Sequence, residues 1–359
     1  MRNIVKKALF VLVFAAFVAG GSFAQARDVT MEALGIKDAV SLNDSGAAYF
    51  QKGQYDLAID QFTEAIRKFP GYEVAIGNRA MTYLTKGDYD YAIADYTLLI
   101  RLDANNTINY NNRGICYYRK NDYDRAIADY TQAIRLDSKN VDAYGNRGDA
   151  YRQKADYDRA IADYTQAIQL APNNALYYNQ RGDAYRQKGD NDRAIADYTQ
   201  AIQLDANNAV YYNQRGLAYF NKSDWDRAIA DFAQAIQRNA NNAVYYGNRG
   251  DAYGRKEDYD RAIADLTQAI RINPNNFVYF NNRAFQYNNK KDYDRAITDA
   301  TEAIRLDPNQ ANPYAHRANA YYQKGNYTQA RADVNRCLQI NPNQERAKNL
   351  DADLKRRGN

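Results

Sequence analysis

The stretch Asp122–Tyr130, D-Y-D-R-A-I-A-D-Y, recurs with small changes nine times along the chain, and this recurrence decides the fold. Aligned on the central alanine, the copies fall at Ala58, Ala92, Ala126, Ala160, Ala194, Ala228, Ala262, Ala296 and Ala330, 34 residues apart without an insertion. A period in this range marks a solenoid, in which each unit buries its apolar face only by stacking on the next. The array spans residues 39–344, in nine units: 39–72, 73–106, 107–140, 141–174, 175–208, 209–242, 243–276, 277–310 and 311–344.

The fourth unit shows how one repeat is built. Tyr157, Ala160, Ile161, Tyr164, Ala167 and Ile168 follow i, i+3, i+4, i+7, i+10 and i+11, one face of a helix. Tyr144, Gly148 and Tyr151 do the same in the first half. A glycine in mid-helix costs about 1 kcal/mol against alanine, so Gly148 calls for a packing reason, a close approach to the helix that carries Ala160. Pro172-Asn173-Asn174 then punctuates the passage to the next unit. The unit is a helix, a short turn and a second, antiparallel helix.

The period, the small residue at place eight, the tyrosine at eleven, the alanine at twenty and the frequent proline at thirty-two together resemble the tetratricopeptide repeat family. The resemblance covers residues 39–344. It implies an all-α, right-handed superhelical solenoid whose first helices line a concave groove, and a non-enzymatic scaffold that holds a peptide or a partner's helix there. One departure stands at place seven, commonly leucine in the family and here Arg79, Arg113, Arg147, Arg181, Arg215, Arg249, Arg283 and Arg317. Each is followed sixteen residues later by an aspartate, Asp95 to Asp333, whereas the first unit has Ser45 and Gln61. The two residues come and go together, which predicts an Arg–Asp bridge between paired helices, because a half-buried charge must be matched.

The groove candidates follow from the same alignment. Place six holds Asn78, Asn112, Asn146, Gln180, Gln214, Asn248 and Asn282, flanked by Asp44 and His316. An amide offers a donor and an acceptor, so a row of them can bond the backbone of an extended peptide without reading its sequence. This is similar to the asparagine ladder of long superhelical family members; the plainer reading is that the amides solvate the groove or bond the neighbouring helix. Selectivity is expected from Asp149, Asp183 and Asp251, which alternate with Arg152, Arg186 and Arg255, and from Val74, Ile108, Leu176, Val210, Val244 and Val278 at place two. The Asp149–Arg152 and Asp183–Arg186 spacings also suit pairs that neutralise each other. The family's carboxylate clamp, lysine at place five and asparagine at nine in the first unit, is not matched by Asn43 and Ala47.

At the ends, Arg2, Lys6 and Lys7 precede an apolar run over residues 8–20 and then Ala24-Gln25-Ala26. This reads as a signal peptide, residues 1–26, with Ser22-Phe23-Ala24 as another cleavage site and an uncleaved anchor as the alternative. The expected location is exported, periplasmic or secreted, with no membrane insertion after cleavage. Residues 27–38 form a lead segment. Residues 345–359 form a capping helix and tail, with Ala347, Leu350 and Leu354 on one face.

Cleavage removes three basic and no acidic residues, and so leaves 45 basic against 43 acidic. That balance gives no footprint for nucleic acid. Cys116 and Cys337 stand six units apart and are expected as free thiols. The single His316 has no nucleophile at a fixed spacing, and nothing in the sequence has metal-ligand or phosphate-loop spacing. The aspartates of D-Y-D-R suit helix N-termini and pairing with the following arginines. No catalytic residue, metal or cofactor is expected. The partner is a protein or peptide; the alternatives are a self-associating component of a cell-envelope assembly or an accessory subunit of a transport or cell-wall complex.

Overall fold

The computed structural model describes residues 35–358, and these form nineteen helices with no strand among them. The signal-peptide reading and most of the lead segment lie outside the described residues. Two compact units divide the chain, one closing at Pro172 and the other opening at Asn173. The first holds four helix pairs: α1 (Ile36–Gln51) with α2 (Tyr55–Lys68), α3 (Glu73–Lys86) with α4 (Tyr89–Leu102), α5 (Thr107–Arg119) with α6 (Tyr123–Leu136), and α7 (Val141–Gln153) with α8 (Tyr157–Leu170). Helix α1 thus starts inside the stretch assigned to the lead.

The second unit continues with α9 (Ala175–Gln187) and α10 (Asn191–Leu204), α11 (Ala209–Asn221) and α12 (Trp225–Arg238), and α13 (Ala243–Arg255) and α14 (Tyr259–Ile272). It ends with α15 (Phe277–Asn289) and α16 (Tyr293–Leu306), α17 (Ala311–Gln323) and α18 (Tyr327–Ile340), and the final α19 (Glu345–Arg356). Helix α19 buries Ala347, Leu350 and Leu354, the three residues that the spacing picked out.

Local chemistry starts and stops each helix. The Asn140 side chain accepts from the Ala143 N–H to open α7, and Asp156 accepts from the Arg159 N–H to open α8, each satisfying a donor with no partner inside its helix. Between them the chain passes through a left-handed residue, Ala155 at φ 57° here and Gly189 at φ 92° one repeat on. The Asp156 carboxylate also takes the Arg159 Nε at 2.6 Å. The other aspartate of the motif does not follow the expected pairing. Asp124 binds Lys154 of the next repeat, and Asp90, Asp192, Asp226, Asp260 and Asp294 bind lysines 30 residues on in the same way. These are exposed links between neighbours, each worth a few tenths of a kcal/mol to about 1 kcal/mol.

Inside each pair, Gly148 does mark a close approach to α8, and its neighbour is the Tyr164 ring: a Cβ there would lie 2.7 Å from Cε1. Gly114, Gly182 and Gly216 meet Tyr130, Tyr198 and Phe232 likewise. The Arg–Asp bridge is present in all eight predicted pairs. Arg147 holds Asp163 through Nε and Nη2, both at 2.8 Å, and its Nη1 reaches Thr131 of the preceding repeat at 3.0 Å. The guanidinium therefore ties three helices. Burial pushes the Asp163 carboxyl above its usual range, and Arg147 partly offsets that shift.

Candidate functional site

The amides at place six stand half-buried on the first helices, and three of them bond the residue at place five of the preceding repeat. Where that residue is asparagine, the two can be joined. Asn78 Nδ2 donates to Asn43 Oδ1 at 2.8 Å, Asn146 to Asn111 at 3.0 Å and Asn248 to Asn213 at 2.8 Å. Where it is Gly77, Asn112 is half-buried, and the buried Tyr96 hydroxyl has no hydrogen-bond partner among the described residues. Where it is Gly247, the Tyr279 ring occupies the space a Cβ would need, and Asn282 turns to Asp251. Gln214 has its buried Oε1 without a hydrogen-bond partner among the described residues. Gln180 is half-buried on α9. His316 is buried, its pKa pushed down to about 3 by burial and then by Arg346.

Each amide link uses one N–H of the later residue and the Oδ1 of the earlier one. The row is therefore partly structural, as the plainer reading had it. The sequence carried the signal, since Asn43, Gly77, Asn111 and Gly145 alternate at place five, but its meaning depends on which residue of one helix faces which of the next.

The aspartates at place nine divide into two kinds. Asp149 accepts from the Tyr164 hydroxyl at 2.7 Å and from Arg152 Nη2 at 3.3 Å, while Arg152 Nε approaches the same hydroxyl at 3.4 Å. Asp183 repeats the arrangement with Tyr198 at 2.7 Å and Arg186 at 3.9 Å. The pairs that looked suited to recognition are thus closed on a core tyrosine. In the seventh repeat Leu266 replaces that tyrosine and Gly254 replaces the arginine. Among the described residues Asp251 accepts only from Asn282, at 3.0 and 3.1 Å, and Arg255 is exposed and acts through its field. Burial pushes Asp251 up to about 6, against the pull of Asn282 and Arg255.

Beside these polar groups each compact unit exposes aliphatic side chains at place two: Val74 and Ile108 in the first, and Leu176, Val210, Val244 and Val278 in the second, all 39–63 % exposed. Four residues separate each from the place-six amide, so the two share a helix face. The free thiols Cys116 and Cys337 are buried, and burial pushes them to about 12 and about 11, which removes them from thiolate chemistry. Trp225 is half-buried with its ring 4.8 Å from that of Phe220. Among the described residues no His, Cys, Asp and Glu cluster could hold a metal ion, and no helix is long and apolar enough to cross a membrane.

Comparison with known proteins agrees with this architecture. Family models described as tetratricopeptide repeat match residues 43–107, 77–141, 111–175, 163–196, 209–242, 243–276, 266–298 and 290–354, and one described as TPR repeat matches residues 182–223. The chain belongs to the tetratricopeptide repeat proteins, a fold that commonly mediates protein–protein interaction. It is similar in structure to a tetratricopeptide repeat protein from Parabacteroides merdae, at 19 % identity and a TM-score of 0.56 over 70 % of this chain and 99 % of that one. It also resembles a chain of the APC/C hetero-tetramer Cut9-Hcn1, at 22 % identity and a TM-score of 0.54 over 74 % of this chain; the match spans 52 % of that longer chain. The third likeness is to pilF of Pseudomonas aeruginosa, at 16 % identity and 0.52 over 59 % of this chain and 97 % of that one. No curated protein matches the sequence.

Proposed function

We propose that the protein is a non-enzymatic scaffold that holds extended segments of other proteins along the face of its first helices. The observation that supports this most is the row of exposed branched aliphatics at place two of the second compact unit, Leu176, Val210, Val244 and Val278, spaced 34 residues apart. Exposed apolar side chains scattered singly need no explanation, but a row at one position of one face offers regular apolar contacts. Beside it Asn248 is half-buried and spends one N–H on Asn213, and an amide nitrogen carries two. Extended peptides are recognised in this way, through backbone bonds for affinity and side-chain pockets for selectivity. The N-terminal sequence pattern supports work outside the inner membrane, and fractionation of an epitope-tagged chain tests that location.

Because Asn146 and Asn248 hold helices together, the informative variant changes the aliphatics instead. Affinity capture of envelope proteins on the mature chain is run beside a variant with Leu176, Val210 and Val244 changed to Ser. These side chains are exposed, so the helical circular dichroism and unfolding midpoint are expected to stay close to the parent's. Partners lost in the variant support the first-helix face. Partners kept by both overturn it and move the search to other faces, and a mass by light scattering that rises with concentration favours the self-associating alternative.

A further inference from the structure

Four stretches of the described residues read Asn-x-Ser or Asn-x-Thr, opening at Asn43, Asn105, Asn221 and Asn326. This tripeptide is the acceptor pattern for a sugar on the asparagine amide, and so bulky a group needs a surface position in an exported chain. The surroundings separate the four. Asn43 is buried and accepts from Asn78. Asn221 ends α11 and spends its amide nitrogen on Asn191 Oδ1 at 3.3 Å. Asn326 is exposed, but Tyr327 and Thr328 already belong to α18, where the Tyr327 ring packs on Tyr322 and its hydroxyl accepts from Arg357 Nη1 at 3.2 Å.

Asn105 lies exposed in the turn between α4 and α5, and other groups hold that turn. Asp103 Oδ1 accepts from the Asn105 backbone N–H at 3.0 Å, and the Asn106 side chain accepts from the Ile108 N–H at 3.0 Å to open α5. The Asn105 carboxamide makes no hydrogen bond among the described residues. Asn106 has extended backbone, at φ −83° and ψ 104°, so the first two residues of the tripeptide stand outside the helix in a form that a peptide-binding cleft can take.

The repeats themselves supply a control. Seven junctions carry an asparagine at place thirty-three, and two residues on stands the first residue of the following helix. That residue is alanine in four junctions, Phe277 and Glu345 in two, and Thr107 in one. Packing and capping at this position therefore do not call for a hydroxyl, and the turn is complete without it. An acid, Asp103, also stands two residues before Asn105 and offers a cationic side chain of an enzyme a charged contact; the other three stretches have Ser41, Tyr219 and Lys324 there.

We propose that Asn105 is an N-glycosylation site whose donor is a sugar carried on a polyprenyl diphosphate and transferred by a membrane enzyme. The amide nitrogen of Asn105 attacks the anomeric carbon of the sugar. A nitrogen–carbon bond forms, the bond from that carbon to the diphosphate oxygen breaks with its electron pair leaving on the diphosphate, and the displaced amide proton passes to a base of the transferase. The inference rests on the proposed export, which brings the chain to such a donor. It places a hydrophilic group three residues from the exposed Ile108, beside the first-helix face.

The test isolates the full chain, carrying a C-terminal affinity tag, from the envelope of its own organism. Trypsin releases the peptide from Leu102 to Arg113, which is expected to carry the mass of a sugar, located on Asn105 by electron-transfer fragmentation. Peptides holding Asn221 and Asn326 are expected without it. Thr107→Ala installs the residue that opens four of the other six helices, and is expected to abolish the added mass with unchanged helical circular dichroism, as is Asn105→Gln. A processed chain whose peptide from Leu102 to Arg113 has no sugar overturns the site and leaves export standing. A chain that keeps residues 1–26 and has no sugar overturns both. Sugar on Asn106, or sugar retained in Thr107→Ala, overturns the assignment to Asn105 through its threonine. Sugar on Asn221 or Asn326 with none on Asn105 overturns the selection argued from the surroundings.

Discussion

Asp149 and Asp251 occupy the same place in two repeats, and their surroundings make them different residues. Asp149 is enclosed by a tyrosine hydroxyl from the paired helix and by an arginine one turn along its own helix. Asp251 has lost both, to Leu266 and Gly254, and keeps one amide. The opening is filled from the next repeat: Gln286, where six other units have alanine, packs so closely on Gly254 that a Cβ there would lie 2.5 Å from its Nε2. A repeat that looks equivalent in alignment has exchanged an internal polar lock for a neighbour's side chain. The lesson is that a charge in a repeat is defined by the two or three positions that face it.

The largest expected effect tests what the two repeats share. Arg147→Ala leaves Asp163 buried and unpaired and is expected to destabilise its repeat by about 3 kcal/mol, read by urea unfolding with hydrogen exchange to localise the loss. Arg249→Ala should lose less, by roughly 1 kcal/mol, because Ala233 stands where Thr131 receives the third bond in the fourth repeat. Equal losses would remove the threonine from the account.

The next effect separates the two aspartates. Asp149→Ala strips the fully buried Tyr164 hydroxyl of its acceptor and is expected to cost about 2 kcal/mol, whereas Asp251→Ala at neutral pH should be close to neutral or stabilising. A comparable loss at both sites would end the distinction drawn here.

The pH dependence gives the third test. Because Asp251 titrates near 6 when folded and near the ordinary aspartate value when unfolded, the folded state binds the extra proton, so stability falls as pH rises from about 4 through 6. The parent is therefore expected to gain in urea midpoint relative to Asp251→Asn on going from pH 7 to pH 5. No change in that difference would refute it.

The smallest effect is a repair. Gly250 stands where Gly148 seats the Tyr164 ring, so Leu266→Tyr should return a hydroxyl donor to Asp251 and flatten that same pH difference. An undiminished slope would show that the socket does not admit the ring.

Much of the architecture was legible without coordinates. The apolar residues of α8 and α19, the Arg–Asp bridges and the reason for Gly148 all lie within one helix or one helix pair, where a fixed spacing determines which side chains meet. The candidate site was less so. The amides of Asn78, Asn146 and Asn248 looked like free rungs because their partners Asn43, Asn111 and Asn213 lie 35 residues away, in a neighbouring repeat. The second aspartate of D-Y-D-R was misread for the same reason, its lysine being 30 residues on.

The sequence by itself determined the period, the helix faces and the charge bridge of each pair, because these follow from 3.6 residues per turn and from the need to match a buried charge. Only the tertiary structure decided which amides are spent on their neighbours and which aspartate stands without its lock. Those outcomes depend on how the first helix of one repeat meets the first helix of the next, and a contact of that kind has no fixed spacing until the stack exists.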